Sequence, residues 1–246
     1  SKPGMLPSLV GSPHRSMRVV AILLSVVTYG AAFPPLGWWW LAWVGIAPFL
    51  VAIDGTSARW ALALGWLWGI GASYAVGSWF PTAVAHYWQQ SLGLGLVLFV
   101  LVSTATGALQ YALFALAYRT LAARRRATTP LMIAAAWVTA ELMRGRLFGG
   151  NPWALAGVSQ AGVLPLVQIA DVTGVYGVSF AIAATNAAFA QMWSARRFGG
   201  QRAPAVVALG VVGVVLLYGL LRLQTVAGTG PGATKVAVIQ GTLPVS

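Results

Sequence analysis

The 246-residue chain contains no cysteine, three acidic residues and two histidines, and charged residues make up 7% of it. Without cysteine there is no disulfide, no thiolate metal site and no cysteine nucleophile within these residues. Soluble domains carry about 25% charged residues. Three acids and fifteen bases are too few to cover a body of this size with solvated side chains, so an ordinary water-soluble globule is excluded. There is also no metal-ligand spacing, no phosphate-binding glycine loop and no nucleophile motif, so the expectation is that no cofactor and no metal is bound.

What is abundant is apolar: 59% of residues are hydrophobic and 12 are tryptophan. At roughly 20 apolar residues per bilayer crossing, the pattern predicts an all-α polytopic membrane protein with about seven transmembrane helices. These are Val19 to Phe33, Leu36 to Ile53, Trp60 to Phe80, Leu92 to Tyr118, Leu131 to Phe148, Val175 to Trp193 and Ala203 to Leu221. Small residues at the end of the first run also fit a cleaved leader, although the hydrophobic runs that follow at once are equally explained by a helix that stays in place. Pro34 and Pro35 predict a turn, Trp38 to Trp40 suit the headgroup level, and Gly65, Gly69 and Gly77 suit close helix packing. Pro81 to Gln90 reads as interfacial. Residues 149–172 are interrupted by Asn151, Pro152, Gln160, Pro165, Gln168 and Asp171, and read as irregular or re-entrant.

The net charge of +12 is carried by small basic clusters between apolar runs rather than by a continuous basic face. That argues against nucleic acid and for a topology signal. With a cytoplasmic amino terminus, eleven of the fifteen bases fall on the inner side, leaving Arg144, Arg146, Arg222 and Lys235 outside. The Asn151 region then faces outward. By composition the chain divides into a cytoplasmic tail (1–18), a helical membrane domain (19–224), a linker (225–234) and, from Lys235 to Gln240, a short β-strand opening a soluble domain (235–246).

Few residues are candidates for chemistry. Glu141 and Arg144 lie three apart on one helix and can pair. Charges at membrane depth are costly unless paired or turned to a polar cavity. Two readings stay open: a neutralising pair, or a headgroup pocket formed by Glu141, Arg144 and Arg146, in which Arg grips a phosphate through two parallel hydrogen bonds. Asn151 and Trp153 either meet a lipid headgroup or turn the chain at the interface. Gln160, Gln168 and Asp171 fit structural roles better, and His86, beside Tyr87 and Trp88, reads as interfacial rather than as a base.

Four stretches, in order, resemble the bacterial apolipoprotein N-acyltransferases. They are Phe33-Pro34-Pro35-Leu36-Gly37 with the tryptophans and Ala47-Pro48-Phe49; Glu141-Leu142-Met143-Arg144-Gly145 leading to Asn151-Pro152-Trp153 and Gly157-Val158-Ser159-Gln160; residues 168–180; and the closing Gln240-Gly241-Thr242-Leu243-Pro244. The resemblance implies a monomeric enzyme of the bacterial cytoplasmic (inner) membrane, working at its outer, periplasmic face. It implies a phospholipid acyl donor, a diacylglyceryl lipoprotein acceptor and a thioester on a cysteine, with a glutamate base and an oxyanion-stabilising lysine. In the family these three belong to an α/β nitrilase-like domain. The expectation is therefore that residues 235–246 begin that domain, that the triad lies beyond Ser246, and that these residues alone do not transfer acyl groups. Glu141, Arg144, Arg146, Asn151, Trp153 and Gln160 remain as substrate-binding candidates. The competing readings are a complete transporter-like subunit, which midplane charges or internal repeats would favour, and a non-catalytic membrane anchor for a partner protein.

Overall fold

A computed structural model describes residues 15–124, 126–195 and 202–227, and its regular structure is helical throughout. Twelve α-helical segments follow in order: α1 (Arg15–Ala31), α2 (Ala42–Gly45), α3 (Ala47–Ile53), α4 (Ala58–Gly77), α5 (Trp79–Tyr87), α6 (Leu92–Ser103), α7 (Leu109–Ala122), α8 (Thr129–Arg146), α9 (Leu164–Val167), α10 (Ala170–Thr173), α11 (Val175–Ala195) and α12 (Ala203–Ala227). The expected strand from Lys235, the glycine linker and the amino-terminal tail through residue 14 lie outside the described residues.

Among the described residues, two helices are long and apolar enough to cross a membrane: Leu92–Ala122, which joins α6 and α7 through a π-helical turn at Thr104–Ala108, and Ala203–Thr225. A third span results if Leu164–Thr173 and Val175–Ser194, which meet at 119°, form one broken span. The other apolar runs differ from simple crossings in identifiable ways. The first forms a helix of 17 residues. The second breaks into a 3-10 turn at Trp39–Leu41, then α2, then α3. The break has a partner on another helix: the Asn186 amide of α11 accepts the Ile46 and Ala47 N–H groups at 2.9 and 2.8 Å and donates to Ala42 O at 2.8 Å. Backbone groups released by the interruption are thus satisfied inside the protein, as an apolar surround requires. The run expected to end at Phe80 closes at Gly77, and α5 takes up most of the interfacial segment. α8 carries Glu141, Arg144 and Arg146 in its last turns.

Helix α4 packs closely along α7. A Cβ on Gly69 would stand 2.6 Å from Ala108 Cα, and one on Gly65 would stand 2.7 Å from Tyr111 O. Such small-residue contacts let backbones approach where lipid offers no hydrophobic drive. Gly77 does not share this role, because a Cβ there would meet only Phe99, at 3.8 Å.

The core is aromatic. Trp68 stacks on Phe49 with centroids 4.8 Å apart and meets the Tyr111 ring edge-on at 4.9 Å, while Trp137 lies 5.0 Å from Tyr111. Buried indoles need a partner for their N–H. Trp68 donates to Ser25 Oγ at 2.9 Å, and Trp137 donates to Glu141. Outside, α12 exposes Val206, Leu209, Val214 and Leu217 along its length, a surface suited to lipid contact and unsuited to water.

Candidate lipid-facing cavity at Arg144

After α8 the chain reverses through a loop in which Phe148, Gly149, Gly150 and Ala154 all have positive φ. For Phe148 and Ala154 that conformation is strained, and such strain persists only where surroundings enforce it. The enforcing contacts are visible. The Asn151 N–H bonds Arg144 O at 2.6 Å, Ala154 O accepts the Tyr29 hydroxyl at 2.7 Å, and Trp153 O accepts Arg144 Nη2 at 2.9 Å. The loop is therefore pinned by α8 and α1 against the side of the molecule where α4, α5 and α6 leave a cavity of about 200 Å³.

That cavity brings together Arg144, Asn151 and Trp153, three of the residues singled out by sequence, with Tyr29, Ser73, Tyr111, Trp79, Phe80, Phe99, Val102 and Ser103. Arg144 is its one charged lining residue. Arg144 is 4% exposed, and its guanidinium donates from Nη1 to Tyr111 Oη at 2.8 Å. It also lies 5.2 Å from the centre of the Tyr111 ring, a cation–π distance. Asn151 is fixed on both sides: Nδ2 donates to Thr106 Oγ1 of the π turn at 3.0 Å, and Oδ1 accepts the Trp153 N–H at 3.3 Å. The Trp153 ring is largely exposed and sits 5.4 Å from Trp79, so two indoles flank the mouth.

The other sequence candidates are elsewhere. Glu141 is completely buried and does not bond Arg144; its Oε1 accepts the Trp137 indole N–H at 3.0 Å and the Ala156 N–H at 2.7 Å. Of the two readings, the direct pair is not formed: each side chain bonds instead to the following segment, residues 153–156. Arg146 is exposed and does not line the cavity. Gln160 is buried and fully engaged: it donates to Trp39 O at 2.9 Å and Ser159 Oγ at 2.8 Å, and accepts the Trp43 indole N–H at 3.1 Å. It holds the 3-10 turn at Ala156–Gln160 to the Trp39 region. Asp171 accepts the Tyr218 hydroxyl at 2.8 Å and Arg222 Nε at 3.0 Å, tying α10 to α12.

The geometry also revises what Arg144 offers. Each terminal nitrogen already gives one N–H to the protein, to Tyr111 Oη and to Trp153 O, so the guanidinium fork is partly committed before any phosphate arrives. Sequence reasoning missed Ser73, Ser103 and Gly107 as neighbours of this group, because a serine or glycine inside an apolar run carries no pattern of its own. Among the described residues no group of His, Asp and Glu side chains is placed to hold a metal ion.

Residues 25–188 match the model of the apolipoprotein N-acyltransferase N-terminal domain. The chain is 35% identical over 97% of its length to the apolipoprotein N-acyltransferase of Geobacter metallireducens, of which it covers 45%. It is 33% identical over 87% of its length to the enzyme of that name from Pseudomonas syringae pv. tomato, covering 42%, and 30% identical over 93% to that of Vibrio vulnificus, covering 44%. The chain thus spans less than half the length of these curated relatives. With residues 25–188 matched by the amino-terminal domain of that family and relatives of that name at 30–35% identity, the chain belongs to the apolipoprotein N-acyltransferase family.

Proposed function

We propose that these residues form the membrane part of an enzyme that moves an acyl chain from a phospholipid to the α-amine of a diacylglyceryl-cysteine on a lipoprotein, at the outer face of a bacterial inner membrane. Their task is to admit and hold lipid beside the chemistry. The observation that carries this is the cavity at Arg144: a buried cation and hydroxyls at one end, Phe80, Phe99 and Val102 beyond them, and two indoles at the mouth. Such a site suits an amphiphile, with few polar groups fixing orientation inside a mostly apolar wall.

The family's chemistry divides into two half-reactions. A thiolate attacks the ester carbonyl of the donor, the acyl C–O bond breaks, and the lysophospholipid leaves with a proton. The acceptor amine then attacks the thioester, forming the amide and returning the thiol. No cysteine occurs among the 246 residues, so the first half-reaction lacks its nucleophile here and the second lacks the thioester that the acceptor amine attacks. These residues alone are expected to be inactive, and Glu141, Arg144, Asn151 and Trp153 act in binding and positioning rather than in bond making. The seven apolar runs are read as crossings, with the amino terminus inside and the Asn151 loop outside.

The test uses the purified chain in nanodiscs with a phospholipid carrying a photoactivatable acyl chain. Labelling concentrated on peptides containing Trp79 to Phe80 and Phe99 to Ser103 is the expected result. Uniform labelling over all lipid-exposed helices, with none in the cavity, would overturn the reading, as would acyl transfer catalysed by the 246 residues alone.

A further inference from the structure

The cavity contains donors that the protein does not use. A guanidinium has five N–H donors. Arg144 commits one from Nη1 and one from Nη2, and its buried Nε has no partner. Ser73 and Ser103 line the same cavity, and among the described residues neither hydroxyl makes a hydrogen bond. Buried donors are ordinarily paired, and a group left without a partner requires an explanation.

These groups converge on one glycine. A Cβ on Gly107 would stand 3.4 Å from Arg144 Nε and 3.5 Å from Ser73 Oγ. Gly107 lies in the π turn, where the ladder of α6 and α7 is wound out of register, and it faces Arg144 with only a hydrogen. Single π turns of this kind are frequent at functional sites. The neighbouring Thr106 receives the Asn151 amide, so the turn is also tied to the loop that forms the cavity wall. The cavity thus combines a cation and two free hydroxyls, with no carboxylate among its lining residues.

Building on the lipid-binding reading above, we infer that the remaining terminal N–H groups of Arg144, with Ser73 and Ser103, receive a phosphodiester oxygen of a glycerophospholipid. The oxygen takes donors that now lack a partner, and the anion supplies charge to a cation that no carboxylate bonds. A charge-assisted bond of this kind is about twice as strong as a neutral one. Contact is through single bonds from the remaining donors, so Tyr111 and Trp153 keep theirs. The apolar walls then take the part of the acyl chains nearest the glycerol.

The experiment measures binding of short-chain lipids to the purified full 246-residue chain by native mass spectrometry, comparing dihexanoyl-phosphatidylethanolamine, dihexanoylglycerol and inorganic phosphate. The phospholipid is expected to bind about tenfold more tightly than the diacylglycerol, the difference being one charge-assisted contact. Phosphate is expected not to compete. Ser73→Ala removes an unbonded hydroxyl and should weaken phospholipid binding about fivefold while leaving diacylglycerol binding unchanged. Ser103→Ala should do the same by removing the second hydroxyl, and an unchanged melting temperature for Ser73→Ala separates loss of binding from loss of fold. Equal binding of phospholipid and diacylglycerol, or two silent variants, overturns the inference while leaving a lipid cavity in place. Competition by phosphate at equal affinity replaces the lipid with a free anion. Binding of no lipid at all defeats this inference and the underlying reading together.

Discussion

The carboxylate of Glu141 and the backbone N–H of Ala156 lie 2.7 Å apart across fifteen residues of chain, and the same oxygen accepts the Trp137 indole. One buried atom therefore ties the end of α8 to the far side of the loop that presents Asn151 and Trp153. Removing it in Glu141→Ala strands two buried donors, at about 1–3 kcal/mol for each group left unsatisfied. The expected outcome is a melting temperature lowered by several degrees in detergent, with Glu141→Gln between the variant and the parent because its amide oxygen still accepts. A Glu141→Ala protein melting with the parent would show that the bond does not hold the loop.

Asn186 has a comparable duty to α2 and α3. Its replacement by Ala leaves the Ile46 and Ala47 N–H groups unpaired, and Asp in its place keeps those acceptors but loses the donor to Ala42 O. Thermal unfolding should rank the parent above Asn186→Asp and that above Asn186→Ala, the last by about 2 kcal/mol or more. Equal stability of the two variants would mean that the accepted N–H groups find other partners.

Close packing of α4 on α7 predicts an asymmetry among glycines. Gly69→Ala places a methyl group 2.6 Å from the Ala108 backbone and should destabilise by about 1–3 kcal/mol through overpacking. Gly77→Ala meets only Phe99 at 3.8 Å and should stay within about 0.5 kcal/mol of the parent. Folded yield and melting temperature measured side by side test the pair. A tolerated Gly69→Ala would show that the two helices separate at little cost.

The absence of cysteine makes orientation directly testable. In intact cells, an impermeant maleimide should label Ser91→Cys, which precedes α6 on the side of the Asn151 loop, and should leave Ser57→Cys before α4 unlabelled until the membrane is opened. The reverse pattern would invert the topology drawn from the basic residues. Labelling of both positions would break the alternation that crossings by α4 require.

The exposed contact between Asp171 and Arg222 calls for a smaller expectation. Surface ion pairs contribute about 0–1 kcal/mol and weaken with salt. Arg222→Ala should therefore shift the melting temperature by no more than a degree or two, with less effect at high salt. A large loss would assign the contact a structural role in holding α12 to α10.

Much of the helical layout was legible in the hydropathy of the chain, because long apolar runs such as Leu92–Ala122 and Ala203–Thr225 have no other stable form in lipid. The irregular character of residues 149–172 was legible too, from its prolines and polar residues. The run from Leu36 to Ile53 was not, since its interruption depends on Asn186, nearly 140 residues away. Arg144, Asn151 and Trp153 were found as candidates because charged, amide and indole groups are conspicuous among apolar neighbours. Arg146 and Gln160 were conspicuous for the same reason and stand outside the cavity, one exposed and one engaged in structural bonds. Ser73, Ser103 and Gly107 gave no signal, since their importance comes only from what faces them.

By itself the sequence determined the apolar character of these residues, the kinship of their motifs and the lack of a cysteine among them, because composition does not depend on how the chain is folded. Only the tertiary structure decided that Glu141 and Arg144 turn to different partners, that a π turn brings Gly107 under the guanidinium, and that two serines on separate helices reach the same cavity. Those relationships depend on distances between segments far apart in the chain, set by helix packing and by the need to satisfy every buried polar group, and no local pattern encodes them.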